Sequence, residues 1–153
     1  MSDTQVSGRV GPSTATQKRI GRTVGYLIAI AVNVVIAWLI NVWPGWEAVP
    51  FLTPETAEVV PLVNGAIAVT IVANLVYIVV DTTRVKAFGE LVINAVNIAV
   101  TVTLLQVFPF DFSAYAFPWT WLVRFILILV LVGTGIALLV NLFKLVRGPA
   151  AAR

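Results

Sequence analysis

The 153-residue chain contains no cysteine and no histidine. The first absence excludes disulfides, thiolate metal sites and cysteine nucleophiles. The second removes the commonest metal ligand, histidine ligation of haem and the usual general base. Charge is scarce as well: Asp, Glu, Lys and Arg make up 11% of the chain, against about a quarter in a soluble domain. Apolar residues make up 59%, which leaves too little polar surface to cover a water-soluble fold.

The apolar residues fall into four runs, 23–42, 59–80, 91–108 and 119–143. About 20 helical residues cross the hydrocarbon core of a bilayer, so each run is long enough to span it. The first run follows a polar leader, lacks a small-x-small cleavage site and is followed by Trp43-Pro44-Gly45-Trp46. It reads as a retained span, not a signal peptide. The expected fold is an all-α membrane protein, an antiparallel four-helix transmembrane bundle with helices at about 23–42, 59–80, 91–108 and 118–146. Residues 1–20, rich in Ser, Thr, Gly and Gln, read as a disordered cytoplasmic leader. The transmembrane domain covers 21–148, and 149–153 form a short cytoplasmic tail after Gly148-Pro149 stops the last helix.

Orientation follows from charge. Arg9, Lys18, Arg19, Arg22, Arg84, Lys86, Lys144, Arg147 and Arg153 fall on one side of the four spans, and Arg124 alone on the other. Positive loops stay cytoplasmic, which places both termini inside and the protein in a bacterial inner (plasma) membrane as a multi-pass protein. The basic residues sit beside spans and suit anionic headgroups; no nucleic-acid partner is expected.

Local signals set the expected ends. Thr53 is a candidate N-cap with Pro54 as first helical residue, and Pro61 is expected to kink the second helix. Glu90 is expected to open helix three, and Asp81 to close helix two with an ion pair to Arg84.

All seven asparagines lie inside the apolar runs. Ala29, Asn33, Ala37 and Asn41 recur every four residues, as do Ala66, Thr70 and Asn74, and Gly133, Ala137 and Asn141; Asn94, Asn97 and Thr101 are spaced three and four. Such spacing puts each set on one helix face. Asn33, Asn64, Asn74, Asn94, Asn97, Thr101 and Asn141 are therefore candidate helix-packing residues, because amides facing acyl chains are costly and small residues let helices approach. The same stripes could instead line a pathway. No ionisable residue lies near the centre of any run, where proton-coupled transporters usually carry one.

The stretch VFPFDFSAYAFPWTW at 107–121 carries seven aromatic residues and one charge. It is too apolar to float in water and is expected to lie flat at the outer interface. Phe108, Phe110, Asp111, Phe112, Tyr115, Trp119, Trp121 and Arg124 are the candidate contacts to a membrane-protein partner or to lipid. Arg124 has two candidate uses, snorkelling to a lipid phosphate or pairing with Asp111, Glu55 or Glu58.

The carboxylates are scattered over different loops, and no glycine-rich phosphate loop is present. No enzyme, metal site or cofactor is expected. The expected function is that of a small non-catalytic accessory or scaffolding subunit that binds lipid, another membrane protein or its own copies as a homo-oligomer. The alternative is a small oligomeric transporter or channel that uses the asparagine stripes.

Overall fold

A computed structural model describes residues 14–147. It is all-helical: α1 (Thr14–Asn41), a 3-10 turn at Trp46–Ala48, α2 (Thr56–Val79), α3 (Thr83–Val107) and α4 (Trp119–Arg147). The four helices have 28, 24, 25 and 29 residues, and all are long and apolar enough to cross a membrane. At 1.5 Å per residue they measure about 36–44 Å, longer than a hydrocarbon core of about 30 Å.

Three helices begin earlier than the hydropathy pattern implies, α2 only slightly, at Thr56. α1 starts at Thr14, so residues 14–20 of the expected leader are helical; residues 1–13 and the tail from 148 lie outside the described residues. α3 starts at Thr83 behind Thr82, whose extended backbone and hydroxyl cap the helix by accepting from the Val85 N–H at 3.4 Å. Glu90 therefore sits two turns inside α3 and does not open it. Charged residues suit a helix well once it has left the apolar layer.

α2 passes through Pro61 as one helix. Its entry is built from successive turns, Thr56 N–H to Thr53 O, Ala57 N–H to Pro54 O and Glu58 N–H to Glu55 O. Glu55, not Thr53, occupies the cap position, and Pro54 stays outside the helix. Gly45 adopts φ 83° just after Pro44, a conformation that glycine takes without steric penalty, and turns the chain out of α1. α3 ends where Phe108 enters the left-handed region, and Pro109 cannot continue the helix.

Contacts fix the directions. Arg22 near the start of α1 meets Asp81 just after α2, while Asn41 at the end of α1 meets Asn64 near the start of α2. Tyr77 near the end of α2 lies against Gly89 early in α3. Phe108 after α3 lies under Arg124 early in α4. Consecutive helices are thus antiparallel. The four starts and ends collect at two poles, a basic end (Arg22, Arg84, Lys86, Lys144, Arg147) and an aromatic end (the 42–55 and 108–118 connections).

Packing is serial. α1 packs on α2, α2 on α3 and α3 on α4, and among the described residues no comparable contact joins α1 to α4 or either diagonal pair. The expected bundle is therefore open, a row in which α2 and α3 are central and α1 and α4 flank. α1 shows the consequence. Only Thr23, Tyr26, Ala29, Ile30, Asn33, Ala37 and Ile40 are shielded, a narrow line with steps of three and four on which Ala29 and Ile30 share one turn, as for a single helix–helix seam.

Few residues are fully buried, and nearly as many are polar as apolar: Val59, Ile67, Tyr77, Ala87 and Pro109 beside Thr56, Asn74, Thr101 and Asn141. Large aliphatic side chains cover the outside of α1 and α4. In water this distribution would be inverted. In a bilayer it is the expected one, since lipid tails solvate Leu and Val as well as a protein core does and seams favour small and amide side chains.

Candidate functional site

The asparagine stripes resolve into several arrangements. Asn41 and Asn64 exchange two amide hydrogen bonds between α1 and α2, each donating to the other's carbonyl at 2.9 and 2.7 Å. Such interhelical bonds contribute about 0.6 kcal/mol on average. Most of the other polar groups turn back on their own helix. Asn33 donates to Ala29 O, Asn41 also to Ala37 O, Asn74 to Thr70 O, Thr70 to Ala66 O and Thr101 to Asn97 O, all at 2.7–2.9 Å. Asn74, Thr101 and Asn141 are buried in seams, and Asn94 and Asn97 are half-buried on α3. The expected α4 stripe is displaced at one end: Gly133 is exposed with open space around it, whereas the neighbouring Thr134 is half-buried. Gly21 and Gly25 also face open space.

At the aromatic end the two connections are tied by backbone. Leu52 and Phe110 form an isolated antiparallel bridge, with Thr53 N–H donating to Pro109 O at 3.1 Å and Asp111 N–H to Phe51 O at 2.9 Å. Phe108, Phe110 and Phe112, spaced by two on either side of this bridge, form a ladder of rings. Phe110 stacks on Phe112 with centroids 6.0 Å apart and planes at 6°, Phe112 stacks on Phe51 at 5.5 Å, and Phe108 meets Phe110 edge-on at 5.3 Å. Phe51, Phe110, Phe112, Tyr115, Trp119 and Val123 enclose an open apolar pocket of about 370 Å³. Four of the loop's expected contact residues, Phe110, Phe112, Tyr115 and Trp119, thus form a concavity with Phe51 and Val123. Phe51 and Val123 belong to it although neither was a candidate; only the cross-connection bridge brings Phe51 there.

Trp121 points elsewhere. It stacks on Phe125 at 5.5 Å and is 67% exposed, an aromatic ledge on the flank of α4. Asp111 does not pair with Arg124. Its carboxylate accepts from the Ser113 N–H at 2.9 Å, a local turn that also holds its pKa below the usual carboxylate value. Glu55 is likewise held low, first by the Thr53 hydroxyl. Arg124 instead lies over the Phe108 ring, 4.3 Å from its centroid, and no carboxylate bonds it among the described residues.

The basic end carries a cluster that local spacing did not reveal. Asp81, in the connection between α2 and α3, binds Arg22 of α1 at 2.6 Å and Lys86 of α3. The expected partner, Arg84, is not used. Tyr26 and Tyr77 pack with centroids 5.5 Å apart, Lys86 sits over Tyr26, and the Tyr77 hydroxyl donates to Lys86 O at 3.2 Å. One carboxylate thereby fastens three helices. A separation of 59 residues between Arg22 and Asp81 hides this contact from any helical-period reading.

Lys86 first, and then Arg22, hold the Asp81 carboxyl below its ordinary value of 3.8. A depressed folded-state pKa means that the unfolded chain binds more protons as pH falls through the ordinary value. The stabilisation is complete above about pH 5 and is lost as pH falls below about 4 towards the folded-state pKa. The thermal midpoint of the native chain should exceed that of Asp81→Asn at neutral pH, and the gap should close on acidification. A gap independent of pH between about 7 and 3 would remove the ion-pair account.

Among the described residues no cluster of carboxylates suited to a metal ion forms. No protein-family model, no curated protein and no solved structure matches the chain.

Proposed function

We propose that this chain is a non-catalytic membrane subunit, an accessory or scaffolding component that associates side by side with another membrane protein or with its own copies. The observation that carries this reading is the open row. α1 and α4 each have one extensive seam, α1 adding only the Tyr26–Lys86 contact to α3 at the basic end, which leaves their remaining apolar faces and the Trp121–Phe125 ledge for contacts outside the chain. Aromatic residues of this kind are enriched at interface hot spots. The basic end suits the cytoplasmic face of a bacterial plasma membrane, with both termini inside, because Lys18, Arg19, Arg22, Arg84, Lys86, Lys144 and Arg147 gather there. A transporter would need its amides turned to a shared path, whereas Asn33, Asn41 and Asn74 spend donors on their own helices.

The test is extraction of the tagged full chain in native-lipid nanoparticles, with particle mass and co-purifying proteins measured. A second copy or a defined partner is expected with the 16.5 kDa chain. Trp121→Ala with Phe125→Ala should release it while leaving the pocket residues untouched. A lone chain in those particles, together with solute flux in liposomes that Asn33→Leu and Asn97→Leu abolish, would overturn the proposal in favour of the transporter.

A further inference from the structure

The aromatic end offers a preformed apolar slot beside a cation that the chain itself does not neutralise. The slot is held open by two backbone hydrogen bonds and a ring ladder, so it exists before any ligand arrives. Its wall is almost wholly carbon, with Trp119 and Val123 one helical turn apart on α4. Arg124 follows Val123. Its guanidinium rests on Phe108, and Phe108 meets Phe110 of the pocket wall, so the charge stands two ring contacts from the slot.

Charge balance at this end is uneven in a specific way. Arg124 is the only cation there among the described residues. Four carboxylates share this end, Glu47, Glu55, Glu58 and Asp111, and none of them forms an ion pair with Arg124; Asp111 is engaged locally by the Ser113 N–H and Glu55 by Thr53. A planar guanidinium with free N–H groups is suited to two-point binding of phosphate. A slot with so little polar lining has nothing to orient a peptide backbone, but it matches an acyl chain.

We infer that the pocket of Phe51, Phe110, Phe112, Tyr115, Trp119 and Val123 seats an acyl chain of an anionic glycerophospholipid whose phosphate pairs with Arg124. The inference requires the helices to lie in a membrane and is independent of the accessory-subunit reading. The lipid makes one salt bridge and fills one slot, and displaces no contact within the protein.

Trp119 in the wall supplies the readout. The full chain with Trp38, Trp43, Trp46 and Trp121 changed to Phe is reconstituted in phosphatidylcholine vesicles. These are doped with phosphatidylglycerol, phosphatidylcholine or free fatty acid carrying brominated acyl chains. Brominated phosphatidylglycerol should quench Trp119 at about a five-fold lower mole fraction than brominated phosphatidylcholine, the factor one basic residue near an anionic surface provides. Arg124→Gln should abolish the preference and Arg124→Lys retain most of it. Native mass spectrometry of the unmodified chain and of Arg124→Gln, counting retained phosphatidylglycerol, gives the same comparison without the tryptophan replacements. Equal quenching by the two phospholipids, a preference that survives Arg124→Gln, or free fatty acid as effective as phosphatidylglycerol would each overturn the assignment.

Discussion

Gly89→Val is expected to destabilise the protein by about 3 kcal/mol, the upper range for overpacking a closed contact. A side chain begun at Gly89 would overlap the Tyr77 hydroxyl and come within 2.8 Å of two ring carbons. Tyr77 has no room to retreat. It is buried, it packs on Tyr26, and its hydroxyl is bonded to the Lys86 carbonyl. The valine must therefore push α3 away from α2 or expel the ring, and either movement loosens the Asp81 fastening next to it. Unfolding in detergent measures the effect. Gly65→Val is the control, because open space surrounds Gly65; its change should stay below about 1 kcal/mol. Adding Tyr77→Ala to Gly89→Val should recover part of the loss, so that the pair is less than additive. Equal effects at positions 65 and 89 would mean that the close approach does not govern the α2–α3 seam.

Phe110→Ala is the second large effect, about 2 kcal/mol, or roughly half the loss for a fully buried phenylalanine because this ring is half-buried. Phe110 stands between Phe108 and Phe112 in the ring ladder, and its backbone pairs with Leu52. Removing the ring takes contacts from both sides and from the pocket wall at once. The local signature separates this from general loosening. Exchange of the Thr53 and Asp111 amide hydrogens should accelerate, since those two N–H groups hold the connections together. Amides in the α1–α2 seam around Asn33 should keep their protection. Uniform acceleration along the chain would show instead that the bridge does not form a separate unit.

The four spans were legible because lipid imposes a length on them, and apolar runs of that length have few other uses. The helix ends were less so. Arg84, Lys86 and Glu90 look like a polar link when hydropathy is the guide, yet Thr82 is a good capping residue, and a helix can run past the apolar layer before it stops. Period-four spacing groups Asn74, Thr101 and Asn141 with small and amide neighbours on one helix face, and all three are buried. It failed for Gly133, which lies on the same geometric line but beyond the edge of a narrow seam. Spacing also could not say that Asn41 and Asn64 would meet, that Gly89 is the one glycine among the described residues under a tyrosine ring, or that Arg124 would choose Phe108 over Asp111. Those depend on how far the chain travels between turns. The aromatic loop was recognisable from composition, but its concavity arises from the bridge between Leu52 and Phe110, which no local pattern encodes.

Serial packing has a consequence for how the molecule is made. Among the described residues every extensive helix contact joins neighbours in the chain. A helix leaving the translocation machinery therefore finds its permanent partner already inserted, with no wait for a distant segment and no final ring-closing step. Assembly becomes an addition at a growing edge, akin to repeat proteins whose units touch only the previous one. Loss of α4 would on this account leave the α1–α2 and α2–α3 seams intact, and errors late in synthesis would not propagate backwards through the fold.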